Sequence, residues 1–227
     1  MRVVTNEDLI KKKASMVRNV LTAGFILMAM AAGMAFFQSY IAYAYVCLLV
    51  SLPMVSWSAR GANRWLQSPR PDQVLAKALK GLDRSYQLYS YTLPIEHALL
   101  CPKGLFALHV KTTRGSITCR GGRWHRKFEL SHLWGWLTDE GLGNPGKQAQ
   151  AAARKLSEFV AAQLPEAQVS VQPLVVFVDP AVKLEVSEPT VPAMLVGNLK
   201  AHLRDVTISL APSTLKDLGK LLDEKSN

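Results

Sequence analysis

From Asn19 to Ala59 the sequence has no Asp, Glu, Lys, Arg or His, and Ala, Leu, Met, Val and aromatic residues fill the run. No soluble core requires an uncharged stretch of that length. About 20 apolar residues cross a hydrocarbon layer, so the run is too long for one crossing and fits two with a tight turn between them. Gln38-Ser39 supplies the turn and predicts helices near 19–37 and 40–58. Pro53 falls close to the end of the second, and Tyr40, Tyr43, Tyr45 and Trp57 stand where interfacial aromatics are favoured. Cysteine is scarce too. Cys47 lies inside the apolar run, Cys101 and Cys119 are far from it, and no CxxC spacing exists. That excludes a disulfide framework, argues against a structural zinc site and fits a reducing cytoplasm. The chain also lacks a Gly-rich phosphate loop and any Ser/His/Asp or Cys/His arrangement that would support a nucleotide-binding loop or a hydrolase triad.

Acids are the next shortage, with 17 Asp and Glu against 27 Lys and Arg. Lys11, Lys12, Lys13 and Arg18 precede the apolar run, Arg60, Arg64 and Arg70 follow it, and its turn is uncharged. Lys and Arg resist translocation, so both ends of this hairpin belong in the cytoplasm of a bacterial-type inner (plasma) membrane protein. A basic start, an apolar run and the small residues Ala31-Ala32-Gly33 are also the ingredients of a secretory signal, but a second apolar span stands where a mature chain would begin. Ala29 and Gly33 form a small-xxx-small pair through which the two helices could approach closely. The expected organisation is a basic cytoplasmic N-terminus (1–18), two transmembrane helices (19–59), a connector (60–70) and one soluble domain (71–227). The domain keeps the positive excess. Its partners are expected to be anionic: DNA or RNA, or the lipid headgroups of the bilayer that anchors it.

Beyond the connector, Pro71-Asp72 opens a helix to about Leu82, with Pro in the first turn and an acid at the positive helix end. The period then changes. Ser85–Leu93, Ile95–Cys101, Gly104–Lys111 and Ser116–Cys119 are short β-rich runs separated by Pro-Lys-Gly and Thr-Arg-Gly turns, which predicts an antiparallel meander. A loop holding Trp134 and Trp136 ends at Asn144-Pro145-Gly146, and Lys147–Leu164 has the apolar periodicity of a helix. Val171–Val178 is apolar on both faces, the mark of a central strand. Met194–Leu203 is expected as a helix, Asp205–Leu210 as a strand and Ser213–Leu222 as a Ser-capped helix. The order predicts a mixed central sheet flanked by helices, in the α/β or α+β class.

The stretch Ile95-Glu96-His97-Ala98-Leu99-Leu100-Cys101-Pro102-Lys103-Gly104-Leu105-Phe106-Ala107-Leu108-His109-Val110-Lys111, followed by Arg114-Gly115 and Trp124, resembles the nuclease-related domain, NERD. That family's pattern has an acidic residue before His, an apolar strand, a Pro/Gly turn, a strand ending in acidic-x-Lys, a Gly turn and a Trp. The resemblance extends to Asn144-Pro145, Gln148 and the strand Leu174–Val178. It implies a restriction-endonuclease-like fold of the PD-(D/E)xK type, in which paired carboxylates hold a divalent metal, Mg or Mn, and a Lys stabilises charge or orients water. Carried over residue by residue, Glu96 is the first carboxylate and metal ligand, Lys111 the Lys and Gln148 the helix position. His109 stands where the second carboxylate belongs.

On a strand His109 and Lys111 are two apart and share a face, as an acidic-x-Lys pair must. Imidazole in place of a carboxylate weakens magnesium binding, and manganese or zinc less so. Whether Glu96 faces His109 depends on the turn. A two-residue loop at Pro102-Lys103 pairs 96 with 109; a three-residue loop with Gly104 left-handed pairs 97 with 109. Turn chemistry leans to the second, the resemblance to the first. Arg114, Arg120, Arg123, His125, Arg126 and Lys127, interleaved with Trp124 and Phe128, form a basic cluster on the next hairpin, suited to phosphate backbones and unstacked bases. The expected function is that of a membrane-anchored, nucleic-acid-related domain with metal-dependent phosphodiester cleavage. The alternative is a non-catalytic domain that binds nucleic acid or protein, or serves as a scaffold, and His109 favours it.

Overall fold

The computed structural model describes residues 1–127, 141–165 and 169–226. Phe128, Trp134 and Trp136 lie outside them. The chain forms two units.

The first unit is a helical hairpin. Helix α1 (Glu7–Met34) and helix α2 (Ile41–Trp65) are joined through a short 3-10 turn, Gln38–Tyr40, at the turn expected from the sequence. Both helices continue past the uncharged run into their basic flanks, because Lys and Arg are good helix formers and extending a nucleated helix is easy. The close approach is not at Ala29 and Gly33. A Cβ on Gly33 would meet nothing within 4 Å, whereas one on Gly24 would lie 2.9 Å from Val55 Cγ2 and one on Gly61 2.8 Å from Val17 Cγ2. Val17, Gly24 and Ala31 are buried at intervals of seven, and so are Ala44, Ser51 and Ser58. That spacing is a coiled-coil seam, and it selects the glycines that lie on it. The Ser51 and Ser58 hydroxyls donate to the carbonyls of Leu48 (3.1 Å) and Met54 (2.8 Å), so neither is buried unsatisfied. Away from the seam, Phe25, Ile26, Met30, Val46, Leu49 and Leu52 are exposed. By length and composition both helices are able to cross a membrane, and they suggest membrane association.

The second unit is a mixed α/β domain, as expected. Strands β1 (Arg2–Thr5), β2 (Gln87–Ser90), β3 (His97–Cys101), β4 (Gly104–Lys111), β7 (Val171–Phe177) and β9 (Ala193–Leu195) form one sheet in the order β1-β2-β3-β4-β7-β9. Its middle, β2-β3-β4, is the antiparallel meander; β1 lies parallel to β2, and β7 and β9 run parallel to β4. Strands β5 (Ser116–Arg120), β6 (Arg123–Arg126) and β8 (Lys183–Ser187) form a second sheet in the order β6-β5-β8. The helices are α3 (Pro71–Leu79), α4 (Pro145–Gln163), α5 (Leu199–Asp205) and α6 (Pro212–Ser226).

Alternation along β4 sorts the core. Phe106, Leu108 and Val110 join Leu75 and Leu79 of α3 and Leu199 and Leu203 of α5 on one face of the sheet. Leu105 and Ala107 join Ala153, Leu156 and Val160 of α4 with Leu218 and Leu222 of α6 on the other. Each fully buried side chain of this size contributes roughly 1.5–3 kcal/mol, which is why both faces must be covered.

Three expectations are corrected. Ser116–Cys119 does not extend the meander: Gly115, at φ +95°, turns the chain away and β5 starts the second sheet. Met194 belongs to a strand, and the helix begins only at Leu199. Asp205–Leu210 is no strand, although Val206, Ile208 and Leu210 alternate; the run finds no ladder partner, and Ile208 is exposed. Conversely, β1, β8 and β9 were not expected.

Strand directions put Thr5, Ser90, His97, Lys111, Phe177 and Leu195 at one end of the large sheet. There the chain leaves β1 for helix α1 after a single residue, Asn6.

Candidate active-site cleft

The expected site residues gather at that same end. The β3–β4 loop is Pro102-Lys103: Cys101 pairs with Gly104 and His97 with Leu108, with Gly104 at φ +142°. A three-residue loop would have turned every β3 side chain to the opposite face; the two-residue loop is the one observed, against local turn preference. The half-buried Glu96 immediately precedes the paired stretch, one residue before His97. Its carbonyl accepts from the Tyr91 N–H at 2.7 Å.

His109 and Lys111 share the β4 face covered by α4. Pro145 starts that helix and the Asn144 Oδ1 caps it, accepting from the Lys147 N–H at 3.0 Å. The cap fixes the first turn, and Gln148 in that turn reaches the sheet: His109 Nε2 donates to Gln148 Oε1 at 2.9 Å. An amide oxygen has no hydrogen, so this nitrogen carries the proton. Lys111 is 1% exposed, with Nζ donating to the Gly141 carbonyl at 3.4 Å. His97 lies on the opposite face, fully buried, with Nδ1 3.1 Å from Ser90 Oγ.

Among the described residues the donor set suits magnesium poorly: Glu96 is the carboxylate it offers, and the His109 Nε2 cannot ligate while it donates to Gln148. Among the described residues no group of three His, Cys, Asp or Glu side chains is placed to hold a metal ion. Burial raises the thiol pKa values of Cys101 and Cys119, so neither is a ready nucleophile.

The basic cluster divides by face. The hairpin between β5 and β6 turns at Gly121-Gly122, φ +53° and +75°, as a two-residue turn of this handedness demands. Arg120 then faces Arg123 and Thr118 faces His125 on the outer side; Cys119 faces Trp124 and Ile117 faces Arg126 on the inner. The Trp124 ring sits 5.9 Å from that of Phe177, and its Nε1 is buried with no acceptor among the described residues. Arg114 is bound to Asp179, Nε to Oδ2 at 2.8 Å, and the Asp179 Oδ1 accepts from the Ala181 N–H. Arg120, Arg123, His125 and Lys127 remain exposed on the outer face, joined by Lys183 of β8. Sequence reasoning missed Lys183, although the alternation Lys-Leu-Glu-Val-Ser was a strand signal.

The sequence model of the nuclease-related domain (NERD) matches residues 62–178, which span α3, the meander, α4 and β7. No curated protein matches the chain, and no solved structure does.

Proposed function

The chain belongs to the nuclease-related domain family, and from that premise we propose a membrane-anchored domain that holds nucleic acid at its cleft without hydrolysing it. The observation that carries this is the His109–Gln148 hydrogen bond, which fills the position of the second carboxylate with a protonated imidazole nitrogen. A phosphate would meet the first turn of α4, where Lys147 and Gln148 are exposed, and Arg114 at the same end of the sheet. Helix N-termini and charged donors together suit such a ligand.

Anchoring is supported by the exposed apolar surface of α1 and α2 and by chain topology. Strand β1 precedes the hairpin and β2 follows it, yet they pair in one sheet. With the hairpin embedded, both flanks lie on one side, and their Lys and Arg residues make that side the cytoplasm.

A second reading, metal-dependent cleavage, is favoured by one observation: His109 and Lys111 share a face of β4, and Glu96 stands one residue beyond the β3–β4 pairing, in the order of an acidic, acidic-x-Lys site. One assay separates the two. The full chain in neutral detergent is incubated with labelled single- and double-stranded DNA and RNA, with Mg or Mn, beside Glu96→Ala, Lys111→Met and His109→Glu. Salt-sensitive binding without cleavage is expected, with any cleavage confined to His109→Glu. Cleavage by the unaltered chain that is lost in Glu96→Ala and Lys111→Met would overturn the non-catalytic reading, and absence of binding would overturn both.

A further inference from the structure

We propose that the outer face of the β6-β5-β8 sheet is a docking surface for anionic lipid headgroups, resting on the reading that the hairpin is embedded in a bilayer. Arg120, Arg123, His125, Lys127 and Lys183 are all exposed on this face, with Glu185 as the acid among them. Among the described residues none of these five side chains has an ion pair or a hydrogen bond. Arg120 and Arg123 are direct cross-strand partners. Like charges placed so are destabilising, and a bridging phosphate reverses that repulsion.

The chemistry of the face favours lipid over nucleic acid. Its other positions are Ser116, Thr118 and Ser187, and the aromatic of β6, Trp124, is turned inward against Phe177. Bases have no ring to stack on here, whereas headgroups require only positive potential over an open surface. The inner face packs Ile117 with Ala149 of α4, Val175 and Phe177. The outer face therefore points away from the α4 cleft, and both can be occupied together.

The test uses the full chain in nanodiscs of phosphatidylcholine alone or with about one third phosphatidylglycerol, probed with a water-soluble amine reagent and read by peptide mass. Lys127 and Lys183 are expected to react about fivefold more slowly in the anionic discs, while Lys155 on α4 and Lys220 on α6 react alike in both. Salt of about 0.5 M should abolish the difference, and so should the double variant Arg120→Glu/Arg123→Glu, whose unchanged melting shows that it folds. Equal reaction in both lipids would overturn the proposal. Protection appearing in neutral discs on addition of duplex DNA would overturn it in favour of nucleic acid. Release of the protein from either lipid by alkaline carbonate would overturn the embedded hairpin, and the docking surface with it.

Discussion

Two polar regions stand at the same end of the sheet and use their charges in opposite ways. In the cleft, His109 is bonded to Gln148, Lys111 is buried with its ammonium at the Gly141 carbonyl, and Arg114 is held by Asp179. On the outer face of the small sheet, Arg120, Arg123, His125, Lys127 and Lys183 point into solvent without partners among the described residues. Groups that bond to one another give a site its shape; groups left facing outward give it a charge to offer. In the cleft the described polar groups are held by one another. The face has no catalytic layout and carries the available positive charge.

The largest effect expected from this contrast is on stability. Lys111→Ala empties a fully buried position, so the full chain in neutral detergent should unfold at lower denaturant, by about 2–4 kcal/mol. Lys111→Met keeps most of the volume and should cost under about 1.5 kcal/mol. If Lys111→Ala unfolded like the unaltered chain, Lys111 would be a free catalytic group and the contrast would collapse. Next in size is the bond that defines the cleft. A double-mutant cycle of His109→Ala and Gln148→Ala should return a coupling of about 1 kcal/mol in denaturant melts. A coupling near zero would leave His109 available to ligate or to act as a base.

The hairpin was legible because an uncharged run of that length holds two apolar helices and a turn, and the β3–β4 strands, α4 and β7 were legible from their periodicities. The shared face of His109 and Lys111 was legible, since residues two apart on a strand point the same way. What stayed hidden depends on distant pairing. β1 is four residues long and pairs with residues 87–90, and nothing near Arg2–Thr5 indicates that partner. The division of the basic cluster rests on which β5 residue meets which on β6: a shift of one residue would have sent Trp124 outward and Arg123 inward. The alternation of Val206, Ile208 and Leu210 predicted a strand that formed no ladder, its Leu210 N–H bonding only the Pro102 carbonyl at 2.8 Å, because a ladder is a property of two segments.

The smallest effect is the most diagnostic for the outer face. Arg120→Glu replaces a like-charged cross-strand pair with an opposite one, so it should raise stability by about 0.2–0.5 kcal/mol, seen as a small upward shift of the denaturant midpoint. Salt should erase the gain, since the pair is exposed. A face under selection for folding alone would already carry the more stable pair. A gain in stability accompanied by loss of protection in anionic discs would mean that Arg120 and Arg123 are kept together at a cost to the fold, for an anion outside it. A loss of stability would instead make the two arginines structural, and the outer face would then resemble the cleft.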